Sequence, residues 1–448
     1  MQMRKESVKG VLITVGLVVG ISLIGLFIGS WILAPKQKPI DSSNAYRARV
    51  SYPSENITLT YWRTVDGKEV FTPILEEWKK QHPNVTIDLV NIPFAEYDKR
   101  LSEAAATGTL PDLFMLKSDW VPRYKNSLQP APKAVFTTEE YKKTFAQVTF
   151  QDLLRGDEVL AVSYGVPTLG LFYNTELFEK AGIKELPKTW QAVLDANSKI
   201  VQRSGNNLVQ SGIALGTSRV ANASSIMPML MIQNGATMTD NPPTKATFDQ
   251  PDSANYPSSA KAVDFYTSFA KPTKSSYSWS DGFGESTMAF MQGRVGMIID
   301  FPYKYLVINS QNPNLKYKMA KLPQVNEDSP INYSEYWAEG VSKTSKYPEI
   351  AWDFYNFMTT YEIMNKYSVP TMKPASRLDL AKAQEADSLI GVFAAQVPSA
   401  KTYYKGNNSV ADGAILEMIN STLSGFDPAI TVRSANARVS GAIGQFPY

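Results

Sequence analysis

Apolar and polar positions alternate at Ile57–Trp62, where Ile57, Leu59 and Tyr61 are interleaved with Thr58, Thr60 and Trp62, and again through Val85, Ile87 and Leu89. A period of two predicts strands. Between them the spacing becomes helical: Ile74, Leu75 and Trp78 share a face, Thr72 is placed to cap it, Pro73 to open it, and His82-Pro83 to end it. A second helix is expected over Phe94–Thr107 from Tyr97, Leu101 and Ala104, with Gly108 as its stop. Leu113–Leu116 reads as a short buried strand. This βαβαβ order predicts a parallel open sheet with right-handed crossovers, whose ligands sit beyond the carboxyl ends of the strands. Trp62 and Thr64 follow the first strand, and Asp119 and Trp120 follow the third.

A second set of patterns begins after Val159–Asn174, VLAVSYGVPTLGLFYN, in which two apolar runs flank Gly165-Val166-Pro167. Thr168 lies on this seam. Thr189 is placed to cap a helix with Trp190, Val193, Leu194, Ile200 and Val201 on one face, and Gly212–Leu215 reads as a strand. Ser224–Asn234 carries Met227, Met229 and Met231, which can line an adaptable surface or fill a core. Asp240–Pro257 is a turn-rich excursion, and Trp279 follows it. Val295–Ile299 is an apolar strand running into Asp300-Phe301-Pro302-Tyr303. Further strands are expected at 317–322 and 336–341, the latter opening on Tyr336-Trp337. Helical spacing returns at 348–360, 387–396, 410–423 and 429–443. The seam, Asp300–Tyr303 and Glu339–Gly340 are the three expected passages between two lobes: 57–167 with 302–338, and 168–301 with 339–448.

At 448 residues the chain exceeds what one core supports. Residues 1–56 hold seven Lys/Arg against three Asp/Glu, leaving 38 against 39 for the rest. A near-neutral body lacks the basic footprint of nucleic-acid binding. With no Cys and a single His, His82, there is no disulfide framework, thiol nucleophile or thiolate site, and no metal ligand set stands out. No cofactor is expected. His82-Pro83 reads as punctuation. Gly282-Phe283-Gly284 has neither a preceding strand nor a following Gly-Lys-Ser/Thr, so it does not make a phosphate loop. Gly10–Leu33 is a run of 24 uncharged, mostly apolar residues. At ~1.5 Å per residue it spans roughly 36 Å, enough to cross a bilayer and well beyond the ~7–15-residue apolar core of a cleavable signal peptide, the alternative reading. Arg4, Lys5 and Lys9 precede it, which places residues 1–9 in the cytoplasm and the body outside. Residues 34–56 then read as a flexible tether.

The order of signals resembles the bacterial extracellular solute-binding proteins of the maltose-binding type, the receptors of ATP-binding-cassette importers. Trp78-Lys79-Lys80-Gln81-His82-Pro83-Asn84-Val85 is similar to the family's H-P passage, and Gly108-Thr109-Leu110-Pro111-Asp112-Leu113 to its G-x-x-P-D turn. Gly165-Val166-Pro167 with Leu171-Phe172-Tyr173-Asn174 and Lys188-Thr189-Trp190 resembles "G-(I/V)-P … Y-Y-N … P-x-T-W". Phe290–Met297 and Pro348–Phe354 add two more matches in order. The resemblance implies an α/β fold of the periplasmic-binding-protein-like type II class, with two lobes, three hinge crossings and a ligand cleft between them. It further implies a monomeric receptor that hands a solute, a sugar or oligosaccharide, to importer permease subunits without catalysis. The family's lipid-anchored Cys is absent, and the transmembrane segment would do that work. By position Asp119 matches a ligand-binding Asp and Tyr303 a stacking aromatic. Trp62, Thr64, Trp120, Thr168, Trp279, Tyr336 and Trp337 are candidates by location, since sugar C–H faces stack on aromatic rings. Two other readings stay open: a carboxylate-dependent surface glycosidase, and a structural or adhesive ectodomain on the same fold.

Overall fold

A computed structural model of the chain describes residues 50–205, 207–252 and 255–448. The expected membrane span 10–33 lies outside these residues. Among the described residues, no helix is long and apolar enough to cross a membrane. The described residues form one compact unit.

The unit holds two hydrophobic cores, each built on its own sheet. The first sheet contains β1 (Ile57–Arg63), β2 (Val85–Asn91), β3 (Leu113–Lys117) and a late strand, Trp337–Val341. β1 runs parallel to β2 and β3, in a register that sets Ile57 against Val85 and Tyr61 against Leu113. The late strand pairs antiparallel with β3, Val341 opposite Leu113. Burial alternates along β1 as its sequence does. The helix Lys68–Gln81 starts a turn earlier than expected. Phe71 buries on the same face as Ile74 and Trp78, which extends the apolar stripe upstream. Thr72 is therefore inside the helix, and its hydroxyl donates to the Lys68 carbonyl instead of capping. His82 lies between the rings of Tyr52 and Trp78, with Asp353 4.0 Å from its Nε2, consistent with punctuation and packing.

After β3 come a small hairpin, β4 (Leu154–Arg155) with β5 (Glu158–Val159), and then the second sheet. Its strands in spatial order are Tyr317–Ala320, β6 (Gly170–Asn174), β9 (Val295–Asp300), β8 (Asn207–Ile213) and β7 (Gln202–Ser204). The three later strands of the chain are labelled β10 (Tyr317–Ala320), β11 (Asn332–Tyr333) and β12 (Trp337–Val341), followed by β13 (Ala400–Lys401). Met227, Met229 and Met231 are fully buried in the second core, so the Met-rich helix Ala223–Gln233 is packing and not surface.

The cores reassign the return segments. Residues 302–333 were expected with the first lobe, yet Ile308, Ala320, Leu322 and Tyr333 join the second core. From 341 to 381 the reverse holds: Val341, Ile350, Trp352, Phe354, Tyr367 and Leu380 join the first core, whereas Phe393 and the buried apolar residues from Tyr403 to Ile443 lie in the second as expected, so a third crossing follows Ala400 of the first core. No crossing occurs at Asp300–Tyr303, because β9 leads directly into the helix Lys304–Gln311, whose Ile308 buries in the same core as β9. Glu339–Gly340 lies within β12. The crossing precedes it, between Tyr333 of the second core and Tyr336 of the first.

The crossing segments pair with one another. Thr168 bridges Ser334, Leu169 N–H donates to Tyr333 O at 2.9 Å, and Ser334 Oγ donates to Pro167 O at 2.7 Å. β11 runs parallel to β13, and Ser334 N–H donates to Lys401 O at 2.9 Å. Just before the first crossing, Gly165 bridges Ala375. A Cβ there would stand 3.0 Å from both Lys373 Cβ and Pro374 O, so close backbone approach requires the glycine.

Candidate functional site

A cavity of about 420 Å³ lies where the crossing segments meet the strand ends of the first sheet. That is within the ~300–1,000 Å³ usual for small-molecule sites. Lys117, Ser118 and Asp119 reach it from the carboxyl end of β3, and Val65 and Asp66 from the turn after β1. Tyr333 to Trp337 come from the second crossing, and Thr402, Tyr403 and Lys405 from the third. Tyr303 and Leu306 face it from the second lobe, and Phe94 from the first. Phe94 is 63% exposed, Leu306 43% and Tyr303 37%, although all three line the cavity.

The walls are aromatic and charged in alternation. Lys373 donates to both oxygens of Asp66 at 2.6 Å, and Tyr367 Oη donates to Oδ2 at 2.6 Å. Burial works against its charge, but Lys373 and Arg63 hold the Asp66 carboxyl below the usual range. Lys405 pairs with Glu335 and Asp412, each at 2.8 Å. Glu335 also accepts from Ser225 Oγ at 2.9 Å. Burial would raise Glu335, yet Lys405 and Lys117 bring it below the ordinary value. Asp119 accepts from Asn408 Nδ2, and burial raises its carboxyl against the pull of Lys405 and Lys117. Behind the floor, Arg63 Nη1 lies 2.5 Å from Glu339 Oε1, and Tyr61 Oη donates to Oε2 at 2.7 Å.

Of the residues singled out from sequence, Asp119, Tyr303, Tyr336 and Trp337 line this cavity. The others are placed elsewhere. Trp279 is fully buried in the second core and stacked on Phe283 at 5.1 Å. Trp120 is a layer behind the wall: its Nε1 donates to Asn408 Oδ1 at 2.7 Å and its ring meets Trp337 edge-on. Thr168 is buried in the crossing ribbon, where its hydroxyl accepts from Gln396 Nε2 at 2.8 Å. Trp62 packs against the first core. Thr64 Oγ1 is buried without a partner, beside but not on the cavity surface. Sequence reasoning missed Asp66, just after β1, and Lys117, the last residue of β3. It had no signal for Lys373, Lys405 or Glu335, whose partners are brought together only by the fold. Among the described residues no group of three His, Asp or Glu is arranged to hold a metal ion.

The sequence profile of the family described as "Bacterial extracellular solute-binding protein" matches residues 62–365. The chain belongs to this family. It is 23% identical to a putative binding protein of Brucella abortus over 387 residues, which covers 83% of this chain and 90% of that protein. Its fold is similar to that of the cyclic alpha-maltosyl-1,6-maltose binding protein from Arthrobacter globiformis, with a TM-score of 0.73 at 17% identity, covering 87% of this chain and 99% of that one. The sugar-binding protein MalE from Xanthomonas citri is similar too, with a TM-score of 0.72 at 18% identity, covering 87% and 98%. The two-lobed α/β fold is thus that of extracellular solute-binding proteins.

Proposed function

We propose that this chain is a membrane-tethered extracellular receptor that takes up a saccharide in the cavity between its lobes and presents it to an ATP-binding-cassette importer. The observation that carries this reading is the composition of the wall. Tyr303, Tyr333, Tyr336, Trp337 and Tyr403 offer ring faces or edges, and Asp119, Glu335, Lys117 and Lys405 offer acceptors and donors between them. A pyranose ring needs both kinds of surface. Asp119, Tyr303, Tyr336 and Trp337 are the assigned ligand contacts. Phe94, Tyr303 and Leu306, exposed at the mouth, lose water when the lobes approach, and a ligand that binds the approached state better shifts the population towards it. The uncharged segment Gly10–Leu33 supports the tether to the membrane.

Calorimetry of residues 45–448 against a glycan panel including maltotriose, lactose and mannobiose, with small-angle scattering before and after, tests the reading. Binding of at least one glycan with a smaller radius of gyration is expected. If none binds and the shape stays fixed, the saccharide reading is wrong.

A further inference from the structure

Asp152 stands outside the cavity wall, on the first-lobe helix Gln147–Leu153, and ligand contact gives it no task. Two hydroxyls converge on it. Tyr336 Oη donates to Oδ2 at 2.8 Å, and Thr402 Oγ1 lies 3.0 Å from Oδ1 and 2.9 Å from Oδ2. Both donors belong to residues that line the cavity. They also leave the crossing ribbon on two different strands, Tyr336 just beyond Ser334 and Thr402 just beyond Lys401. One carboxylate therefore ties the second and third crossings to the first lobe.

We propose that Asp152 is a positioning residue for the ligand site. As a carboxylate it takes the single hydrogen of each hydroxyl, fixing both rotors and leaving the oxygens with lone pairs alone. With both side chains held, the wall meets a sugar in one arrangement in place of several, which lowers the entropy lost on binding. That last step rests on the saccharide reading, whereas the clamp on the crossings does not.

The charge state of Asp152 is poised to change. Burial pushes its carboxyl up to about 6, and the bonds from Tyr336 and Thr402 offset only part of this. Asp119 raises it further, and Arg155 lowers it. The other titratable groups on elements packed against it are Tyr141 with Glu139, Glu140, Lys142 and Lys143 on the helix Thr138–Thr144, Lys401 and Tyr448, besides Tyr336 itself. On acidification one carboxyl oxygen becomes a donor and the charge that strengthens both bonds is lost, so the two hydroxyls are held less tightly.

The test compares wild type with the near-isosteric Asp152→Asn, folded by its melting curve, between pH 7.5 and 5.5. Calorimetry with maltotriose, lactose and mannobiose should show wild-type dissociation constants rising roughly 3- to 10-fold on acidification, the worth of one hydrogen bond or more. Asp152→Asn should be weak throughout and flat with pH, while Asp300→Asn keeps the wild-type profile. Hydrogen-exchange protection of 332–336 and 400–402 supplies a readout that needs no ligand. At pH 7.5 it should be lower in Asp152→Asn than in wild type. If wild type binds no glycan but protection follows this pattern, the saccharide reading fails and the clamp stands. Unchanged protection in Asp152→Asn, or a binding profile in that variant identical to wild type, overturns the proposal.

Discussion

Arg63→Met withdraws a guanidinium with no exposed surface from a site where two acids depend on it. Its Nη1 is 2.5 Å from Glu339 Oε1, its Nη2 is 3.3 Å from Asp66 Oδ2, and its Cζ lies 4.3 Å from the centre of the Phe71 ring. Asp66 would keep Lys373 and Tyr367, so it remains compensated. Glu339 would keep only the Tyr61 hydroxyl among the bonds described here, a neutral donor for a buried charge. Breaking a buried pair from one side costs about 3–5 kcal/mol, because the abandoned charge stays desolvated. For a lobe of this size that corresponds to a fall in Tm of roughly 6–20 °C. Met retains much of the contact with Phe71, so lost packing contributes little. The double variant Arg63→Met with Glu339→Leu removes both charges and should recover to within about 1 kcal/mol of wild type. Urea unfolding of residues 45–448 at pH 7, followed by near-ultraviolet dichroism, gives all three values. The argument is refuted if Arg63→Met loses under 1 kcal/mol, or if the double variant is less stable than either single one.

Asp300, at the end of β9, gives a pH signature in overall stability. Burial raises its carboxyl to about 6, despite Lys304, the Phe301 N–H and Asn222. The folded state then binds a proton more tightly than the unfolded chain does near 3.9, so stability rises as pH falls from about 7 towards 4, by up to roughly 3 kcal/mol. Melting curves at pH 7 and 5 should show a smaller gain for Asp300→Asn than for wild type, and equal slopes would contradict this. Trp279→Ala should destabilise by about 3–5 kcal/mol through a core cavity while leaving glycan affinity of the folded protein unchanged. Trp337→Ala should do the reverse, weakening binding at least tenfold with a much smaller change in Tm. Calorimetry paired with melting separates the two tryptophans, and a similar profile for both would defeat the assignment.

That contrast also shows where the sequence was legible. Period-two and helical spacing are local, so β1, β2, β3 and the helix Phe94–Thr107 could be read directly, as could the Gly165–Pro167 seam. Membership of a core is not local. Ile308 follows an apolar strand and a Pro-containing turn that look like a passage between lobes, and only the packed structure shows that it stays with β9. Trp279 and Trp337 are equally plausible stacking rings from their neighbours, but one is enclosed by the second core and the other is held at the cavity. The ionic members of the wall were least visible. Lys373 and Asp66 are 307 residues apart, and nothing near either announces the other.

The crossing ribbon has a mechanical consequence. Three separate linkers could bend and twist independently, giving the lobes a wide spread of relative angles. Here residues 167–169, 332–334 and 400–401 are laced by main-chain and hydroxyl hydrogen bonds into a single band. A laced band flexes easily across its thin dimension and resists shear within its plane, since shear would break several bonds at once. The lobes are therefore geared to one dominant degree of freedom. The entropy to be lost when they come together is that of a single soft coordinate, not of three loose chains.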